Sequence, residues 1–380
     1  SGDGQFLSEA DSVTMTNINA AAGTLTISGG EFDLSNDAIA NATSVTVGNG
    51  ATLDVNGATD TLAGVSILSG GSLIGAGTLT SPITVANGGT VSPGTSPGII
   101  GTGDLTLNSG ADFEVEIQNG APGTGHDQLV VTGVVDLGGA DLNLDDTGFT
   151  SNGGEVIVLI ANDGTDAVVG TFNGLPDGSL LTLGGQEFIL RYDGGDGNDV
   201  VLSIAPDFGD ALLTHGTATA SHGVTGPTIG VLRDAEAVAN ISGNALGDDN
   251  ADDDDEDGIT FTETFIVSDR LINTARFEFE LQNADPTSNR LDAFIDFNGD
   301  GDFNDPGEKI LDNFDLGTTN GTQTIEFEIP QDVGPNVIAD DVFARFRLST
   351  TGGLNAIEAA ADGEVEDYRV SLVDSTAFEM

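Results

Sequence analysis

The densest set of hard oxygen ligands in the chain lies in thirteen residues, Asp296-Phe297-Asn298-Gly299-Asp300-Gly301-Asp302-Phe303-Asn304-Asp305-Pro306-Gly307-Glu308. Asp296, Asn298 and Asp300 stand at alternate positions, and Gly301 follows where a sharp turn is needed, which is the layout of a calcium loop. A calcium ion takes roughly six to eight carboxylate, amide or carbonyl oxygens at about 2.3–2.6 Å. Asp296, Asn298, Asp300, Asp302, Asn304 and Glu308 are therefore candidate ligands. The twelfth position, which carries a bidentate Glu when the loop joins two helices, is Gly307, and Glu308 comes one residue later. Leu291 to Phe297 alternates like a strand, and Pro306-Gly307 forbids a helix directly after. The expectation is a calcium loop at a strand end.

Other acidic groups invite the same chemistry. Asp248, Asp249 and Asp252 to Asp257 form a run, and Gly258-Ile259-Thr260-Phe261 resumes a strand at once. A solvated loop is the plain reading of such a run. A metal-bound turn is the sharper one, with Asp253, Asp255 and Asp257 as ligands. Near the end, strand alternation puts Glu364, Glu366, Tyr368, Val370 and Leu372 on one face and Val365, Asp367 and Arg369 on the other. An unpaired buried charge is very costly, so Glu364, Glu366 and Asp367 are candidate ligands, with Asp207 and Asp210 at a neighbouring site. Gly194-Gly195-Asp196-Gly197-Asn198-Asp199-Val200-Val201 matches the nonapeptide of calcium-binding β-rolls but occurs once. Those sites form between stacked repeats, so it reads as a glycine turn leading into a strand. His126, His215 and His222 are dispersed, without an i, i+4 partner or cysteine, so zinc is not expected. His222 is expected to serve as a structural hydrogen-bonding group.

The chain carries 62 acidic against 9 basic residues, a formal net charge of −53. Carboxylates at that density repel one another unless cations or salt intervene. Nucleic acid and anionic membrane surfaces are excluded as partners by the same sign, and no apolar run is long enough to insert into a bilayer. There is no cysteine, so metal is the remaining cross-link. The chain starts at Ser1 with no basic leader, which points to a processed mature protein outside the cell. There, free calcium fills sites of roughly 10⁻⁴–10⁻³ M affinity.

Two halves position these residues. Six phenylalanines precede Ser203 and thirteen follow Pro206, and Arg191 is the only basic residue of the first half. In that half short strands recur at Leu25-Thr26-Ile27, Val45-Thr46-Val47, Val65-Ser66-Ile67, Ile83-Thr84-Val85 and Leu105-Thr106-Leu107. The next inward apolar residue comes six positions on: Val47 to Leu53, Ile67 to Leu73, Val85 to Val91, Leu107 to Phe113. Glycine pairs between them supply tight corners. A parallel β-helix is predicted over 23–205, with Thr26, Thr46, Ser66, Thr84 and Thr106 in an outward column. Residues 1–22 either cap that solenoid or add as a donor strand to the next subunit. The motifs Gly70-Gly71-Ser72-Leu73-Ile74-Gly75-Ala76-Gly77-Thr78-Leu79 and Gly88-Gly89-Thr90-Val91-Ser92-Pro93-Gly94 resemble the passenger-associated repeats of autotransporters and related bacterial surface proteins.

The second half, 206–380, has longer alternating strands, among them Phe277-Glu278-Phe279-Glu280-Leu281 and Ile325-Glu326-Phe327-Glu328-Ile329. One buried and one wet face predict an antiparallel β-sandwich, with Arg345 and Arg347 beside the Glu-bearing strands. Asp207-Phe208-Gly209-Asp210-Ala211, Asp234-Ala235-Glu236, the acidic run, the Phe294–Glu308 loop and Gly363-Glu364-Val365-Glu366-Asp367-Tyr368 resemble, in that order, the GEVED domain of bacterial secreted proteins. The resemblance implies a location and an architecture rather than an activity.

The whole is an all-β chain whose expected role is mechanical: an extracellular structural or adhesive protein, stiffened by calcium and self-associating into a surface or matrix polymer. Catalysis is not expected. A lyase acting on a parallel β-helix needs a basic residue to remove a proton, and the first half offers one arginine and no lysine. The alternative is a calcium-dependent carbohydrate-binding or carbohydrate-active β-helix protein, with a cell-surface glycan as partner. Tryptophan is absent and Tyr192 is the only tyrosine of the first half, so an aromatic sugar platform is lacking there.

Overall fold

Glycine corners and the aliphatic residues between them build the first unit. The computed structural model describes residues 5–7, 13–15, 23–39, 43–94, 97–151, 155–164, 166–211, 220–233, 235–236, 238–245, 256–267, 273–330 and 341–374. Among the described residues there is no helix, and the chain divides into Ser1–Ile204 and Ala205–Met380.

In the first unit Gln5–Leu7, Thr24–Ile27, Ser44–Val47, Gly64–Ile67, Ile83–Val85, Leu105–Leu107 and Val135–Asp136 lie parallel in one sheet. Val13–Met15, Gly30–Leu34, Ala51–Asp54, Ser72–Gly75, Thr90–Pro93, Asp112–Glu116 and Asp141–Asp145 form a second parallel sheet. Thr59–Asp60, Gly77–Leu79, Ile99–Thr102, Gln128–Val131 and Val156–Asn162 begin a third. The chain visits the sheets in rotation, as a parallel β-helix does. The six-residue step becomes two inward ladders. Ile27, Val47, Ile67, Val85 and Leu107 are register neighbours in the first sheet, and Phe32, Leu53, Leu73, Val91 and Phe113 in the second. All are buried, each worth roughly 1.5–3 kcal/mol against exposure. Gly71 shows why the corners are glycine: a Cβ there would come within 2.6 Å of the Val47 carbonyl oxygen on the previous coil. Thr26, Thr46, Ser66, Thr84 and Thr106 sit in register on the outer face.

Gln5–Leu7 and Val13–Met15 pair with Thr24–Ile27 and Gly30–Leu34, so these N-terminal strands extend the chain's own solenoid. At the other end the prediction of parallel coils as far as residue 205 needs correction. Asp199–Ile204 runs antiparallel to Val156–Asn162, and Gln186–Gly194 and Ser179–Leu183 continue outward as antiparallel strands. Gly184-Gly185, with φ of 59° and 86°, forms the turn between the last two. A two-residue turn with positive φ at both positions matches the twist of a hairpin and reverses the chain.

In the second unit Asn273–Gln282 pairs along its length with Gly321–Ile329, and on its other edge with Thr228–Ile229 and Ile259–Phe261. Phe265–Val267, Glu364–Asp374, Asp341–Ser349, Arg290–Ile295 and Lys309–Asp315 form a five-stranded sheet, antiparallel except for the first pair. Phe277, Phe279, Leu281 and Phe327 of one sheet and Ala293, Ile295, Phe346, Leu348 and Val370 of the other share one core. Phe277 meets Phe346 edge-on at 5.0 Å between ring centroids. This is the antiparallel β-sandwich.

The predicted wet face is present on Asn273–Gln282, where Phe277 and Phe279 are buried and Glu278 is exposed. It is missing from the middle of the five-stranded sheet, where Asp292, Arg345, Arg347, Val365 and Asp367 are all buried. Pro206–Phe208, Ser221–Gly223 and Ala359–Ala360 form a small sheet over that sheet's outer side. Arg345 and Arg347 lie beneath it, both 0% exposed, instead of offsetting the Glu-bearing strands. Arg276 does that work, bonding Glu326 across the strand pair at 2.9 Å.

Candidate metal centre

Arg290–Ile295 and Lys309–Asp315 are antiparallel partners, with Phe294 opposite Lys309, so the 296–308 segment is a hairpin loop between strands. Its first ligand candidate organises the turn. Asp296 is 2% exposed. Its Oδ1 accepts the Gly299 and Asp300 amides at 2.7 and 3.2 Å, and its Oδ2 the Gly301 amide at 2.9 Å. Gly299 and Gly301 hold φ of 69° and 93°, angles that only glycine adopts freely. Asn298 Oδ1 accepts the Asp300 amide at 2.9 Å, and its side-chain nitrogen donates to Asp305.

Glu308 closes the loop. It too is 2% exposed, and its Oε2 accepts the Asp305 amide at 3.0 Å. Its Oε1 is buried and accepts no hydrogen bond among the described residues. Burial, then the charges of Asp296, Asp305 and Asp300, push the Glu308 carboxyl up to about 8. Asp296 is raised as well, by burial first and by Asp300, against the pull of the Gly301 and Gly299 amides. Among the described residues no three carboxylates of this loop bring their oxygens within 4.8 Å of one another, so no closed cage is formed; an all-oxygen donor set with one buried, unsatisfied carboxylate oxygen is nonetheless the chemistry that suits a hard cation. Asp305 joins this group although alternate-position spacing points past it. Asp302 and Asn304 lie further along the loop: Asp302 is half-buried and its Oδ1 takes the amide of exposed Asn304 at 2.8 Å.

The carboxylates of the last strand bond backbone segments around them. Glu364 accepts the Ile229 amide through Oε2. Glu366 accepts the Gly258 amide at 3.1 Å and the Tyr368 hydroxyl at 3.0 Å, and that hydroxyl accepts the Ile259 amide at 3.1 Å. Asp367 faces the other way, where Arg345 donates to both of its oxygens, Nε at 2.8 Å and Nη2 at 2.6 Å, and the Ala211 amide adds a bond at 2.8 Å. Asp207 reaches from the opposite side to accept the Val365 amide at 2.8 Å. Each acidic side chain thus fastens a separate backbone segment to one strand. Residues 290–371 match the family model of the GEVED domain.

The match contains both the 296–308 loop and the Glu364–Asp367 stretch, whereas Asp207, Asp210 and Asp257 lie before it. A comparison with curated proteins found no match. The Glu364–Asp367 stretch bonds the amides of Ile229, Gly258 and Ala211, all of which precede the matched residues. Asp367, expected as a metal ligand, has both oxygens paired with Arg345. Glu366 and Asp207 each accept a backbone amide, and Asp210 is met by the Ser242 hydroxyl at 3.4 Å. Glu364 keeps one buried oxygen without a hydrogen bond. Burial, Glu366 and Asp207 raise its carboxyl, and Arg233 works against them. Asp257 accepts the Val231 and Leu232 amides, 2.9 Å the shortest, and so shapes a turn. Asp253 and Asp255 lie outside the described residues. Sequence reasoning also missed Glu31, Asp33 and Asp54, whose oxygens lie within 4.8 Å of one another on the solenoid's second sheet. Only the parallel register brings them together.

His222 sits in the same buried layer. Arg347 Nε donates to its Nε2 at 3.0 Å, which leaves Nδ1 to carry the proton and donate to the Asp362 carbonyl at 2.8 Å. Burial, then Arg347, holds the imidazole well below its ordinary range. The unfolded chain regains a value of about 6.5 and takes up a proton below it. The stability supplied by the neutral ring is complete above that pH and is lost as the pH falls, by up to about 1.4 kcal/mol per unit. Chemical denaturation of the second unit from about pH 7.5 to 5.5 should therefore show a steeper loss in the wild type than in His222→Gln. Equal slopes would reject this role.

Proposed function

We propose that this protein is an extracellular structural or adhesive component of a bacterial surface, stabilised by calcium and assembled head-to-tail into a surface or matrix fibre. The observation that carries the calcium reading is the buried Oε1 of Glu308, which accepts no hydrogen bond among the described residues, on a carboxyl raised by burial and by the charges of Asp296, Asp305 and Asp300. Asp296, Asp300, Asp305 and Glu308 would hold the ion, which supplies there the positive charge that the loop lacks. The hairpin is then fixed as a rigid surface feature. The GEVED match supports the secreted, bacterial setting by resemblance.

Assembly follows from strand edges and charge. The first and second sheets begin at Gln5–Leu7 and Val13–Met15, whose outer edges have no strand partner among the described residues. An open edge accepts the backbone of another copy. At a net charge of −53 bare subunits repel, so calcium is required for contact as well as adding to the stability of the fold. The test is electron microscopy and light scattering of the full chain with chelator and with millimolar calcium. Fibres are expected in calcium alone, and single particles in both conditions would remove the polymer from the proposal. Asp300→Ala tests the ligand set separately: calcium stoichiometry should fall by one while the solenoid stays folded. A mutant that retains the ion would reject these ligands.

A further inference from the structure

A second group of orphaned oxygens lies in the first unit, where the parallel coils give way to antiparallel strands. Asn162 ends the strand Val156–Asn162, and Asn198 stands in the turn that joins Gln186–Gly194 to Asp199–Ile204. The two are 6% and 3% exposed. Their side-chain nitrogens converge on one acceptor, the Asp166 carbonyl, at 2.8 and 3.2 Å, and Asn198 also reaches the Asp163 carbonyl at 3.3 Å. These bonds fix which end of each amide is oxygen, because a flipped amide would set oxygen against oxygen. Both Oδ1 atoms are buried and accept no hydrogen bond among the described residues.

Two amide oxygens left bare by the same arrangement ask for a shared ligand. Leaving a buried acceptor unsatisfied costs about 1–3 kcal/mol, and the fold incurs that twice, once at a strand end and once in the turn beside it. Asp199 adds a carboxylate. Its Oδ1 accepts the Asn162 amide at 2.8 Å. Its Oδ2 overhangs Gly195, so closely that a Cβ there would come within 1.9 Å. Gly195 has φ of +59°, and the absence of a side chain keeps that carboxylate in the turn. Asp163, Asp166, Asp193 and Asp196 surround it in the sequence, and the unit's one basic residue, Arg191, is engaged with Asp177 at 3.1 Å. The charge balance therefore asks for a cation from outside. Oxygen-only donors, part amide and part carboxylate, suit calcium better than a metal that prefers nitrogen or sulfur.

We propose that Asn162 Oδ1, Asn198 Oδ1 and the Asp199 carboxylate bind a calcium ion that pins the antiparallel end of the solenoid to its last parallel coil. The site uses one turn against one strand end, so it needs no repetition of the glycine-rich nonapeptide. It is independent of the 296–308 loop.

Calorimetric titration of the chelator-stripped full chain with calcium tests it. Asn198→Leu is expected to bind one ion fewer than the wild type, and one fewer again when combined with Asp300→Ala. Asp199→Asn retains an oxygen for the Asn162 amide and the size of the side chain while replacing the second carboxylate oxygen with an NH2 group and removing the charge, so it decides the matter should the leucine variant fail to fold. It is expected to weaken one class of site roughly tenfold and leave the other unchanged. Unaltered stoichiometry and affinity in Asp199→Asn would overturn the proposal. So would a crystal grown in calcium whose Asn162 and Asn198 oxygens share a water at ordinary hydrogen-bond distances.

Discussion

Arg345→Met is expected to destabilise the second unit by about 3–5 kcal/mol and leave the solenoid unaffected, because it strands Asp367 as an unpaired buried carboxylate. The pair is fully enclosed, with two parallel bonds between guanidinium and carboxylate. Arg345 also donates to the Ala356 carbonyl at 2.8 Å, which ties down the chain before the small third sheet. A loss of that size is a large share of the 5–15 kcal/mol that holds a domain folded. Denaturant unfolding that resolves the two units would show it as an early first transition. Adding Asp367→Leu to Arg345→Met should recover part of the loss, since the orphaned charge is then gone. Recovery will be incomplete because the Ala211 amide loses its acceptor. A single substitution costing under about 1 kcal/mol would mean that the pair behaves like an exposed one, and the buried-layer account would fail.

Calcium is expected to stabilise the second unit by about 2.7 kcal/mol at a hundredfold excess over its dissociation constant, by mass action on the folded state. Glu308→Gln should abolish most of that response while keeping the size of the side chain. In chelator the same substitution should raise stability, because it removes a carboxyl whose ionisation burial, Asp296, Asp305 and Asp300 oppose. The two effects have opposite signs, so a thermal melt in each condition suffices. If calcium moves neither unit's transition, or if the variant responds as the wild type does, the loop is no calcium site. The proposed site at Asn162 and Asn198 predicts a separate shift in the first unit that Glu308→Gln leaves intact.

Local periodicity determined much of this molecule. The six-residue step from Val47 to Leu53 and its repeats dictated two inward ladders, since period-two strands joined by glycine corners place those residues on the same side. Alternation in Phe277 to Leu281 dictated a half-buried strand. The spacing of Asp296, Asn298, Asp300 and Gly301, with Pro306-Gly307 after it, dictated a tight oxygen-rich hairpin loop. Each is a property of neighbours in the chain, so the sequence carries it.

Tertiary structure decided the rest. The third solenoid sheet follows no fixed step, because the corners that lead into it vary in length. Asp305 enters the loop cluster, and Asp33 meets Asp54, through folding of the chain around them. Charge was the least legible feature. A strand bearing Glu364, Glu366, Asp367, Arg345 or Arg347 reads as wet on one side, and it is dry because Pro206–Phe208 and Ser221–Gly223 lie over it. The donors that satisfy those carboxylates lie far away in sequence, Ala211 for Asp367 at a separation of 156 residues and Val365 for Asp207 at 158. No local pattern records pairings at that range. Yet they decide whether a carboxylate waits for a metal or is already held, because a buried charge persists only where specific partners are brought to it.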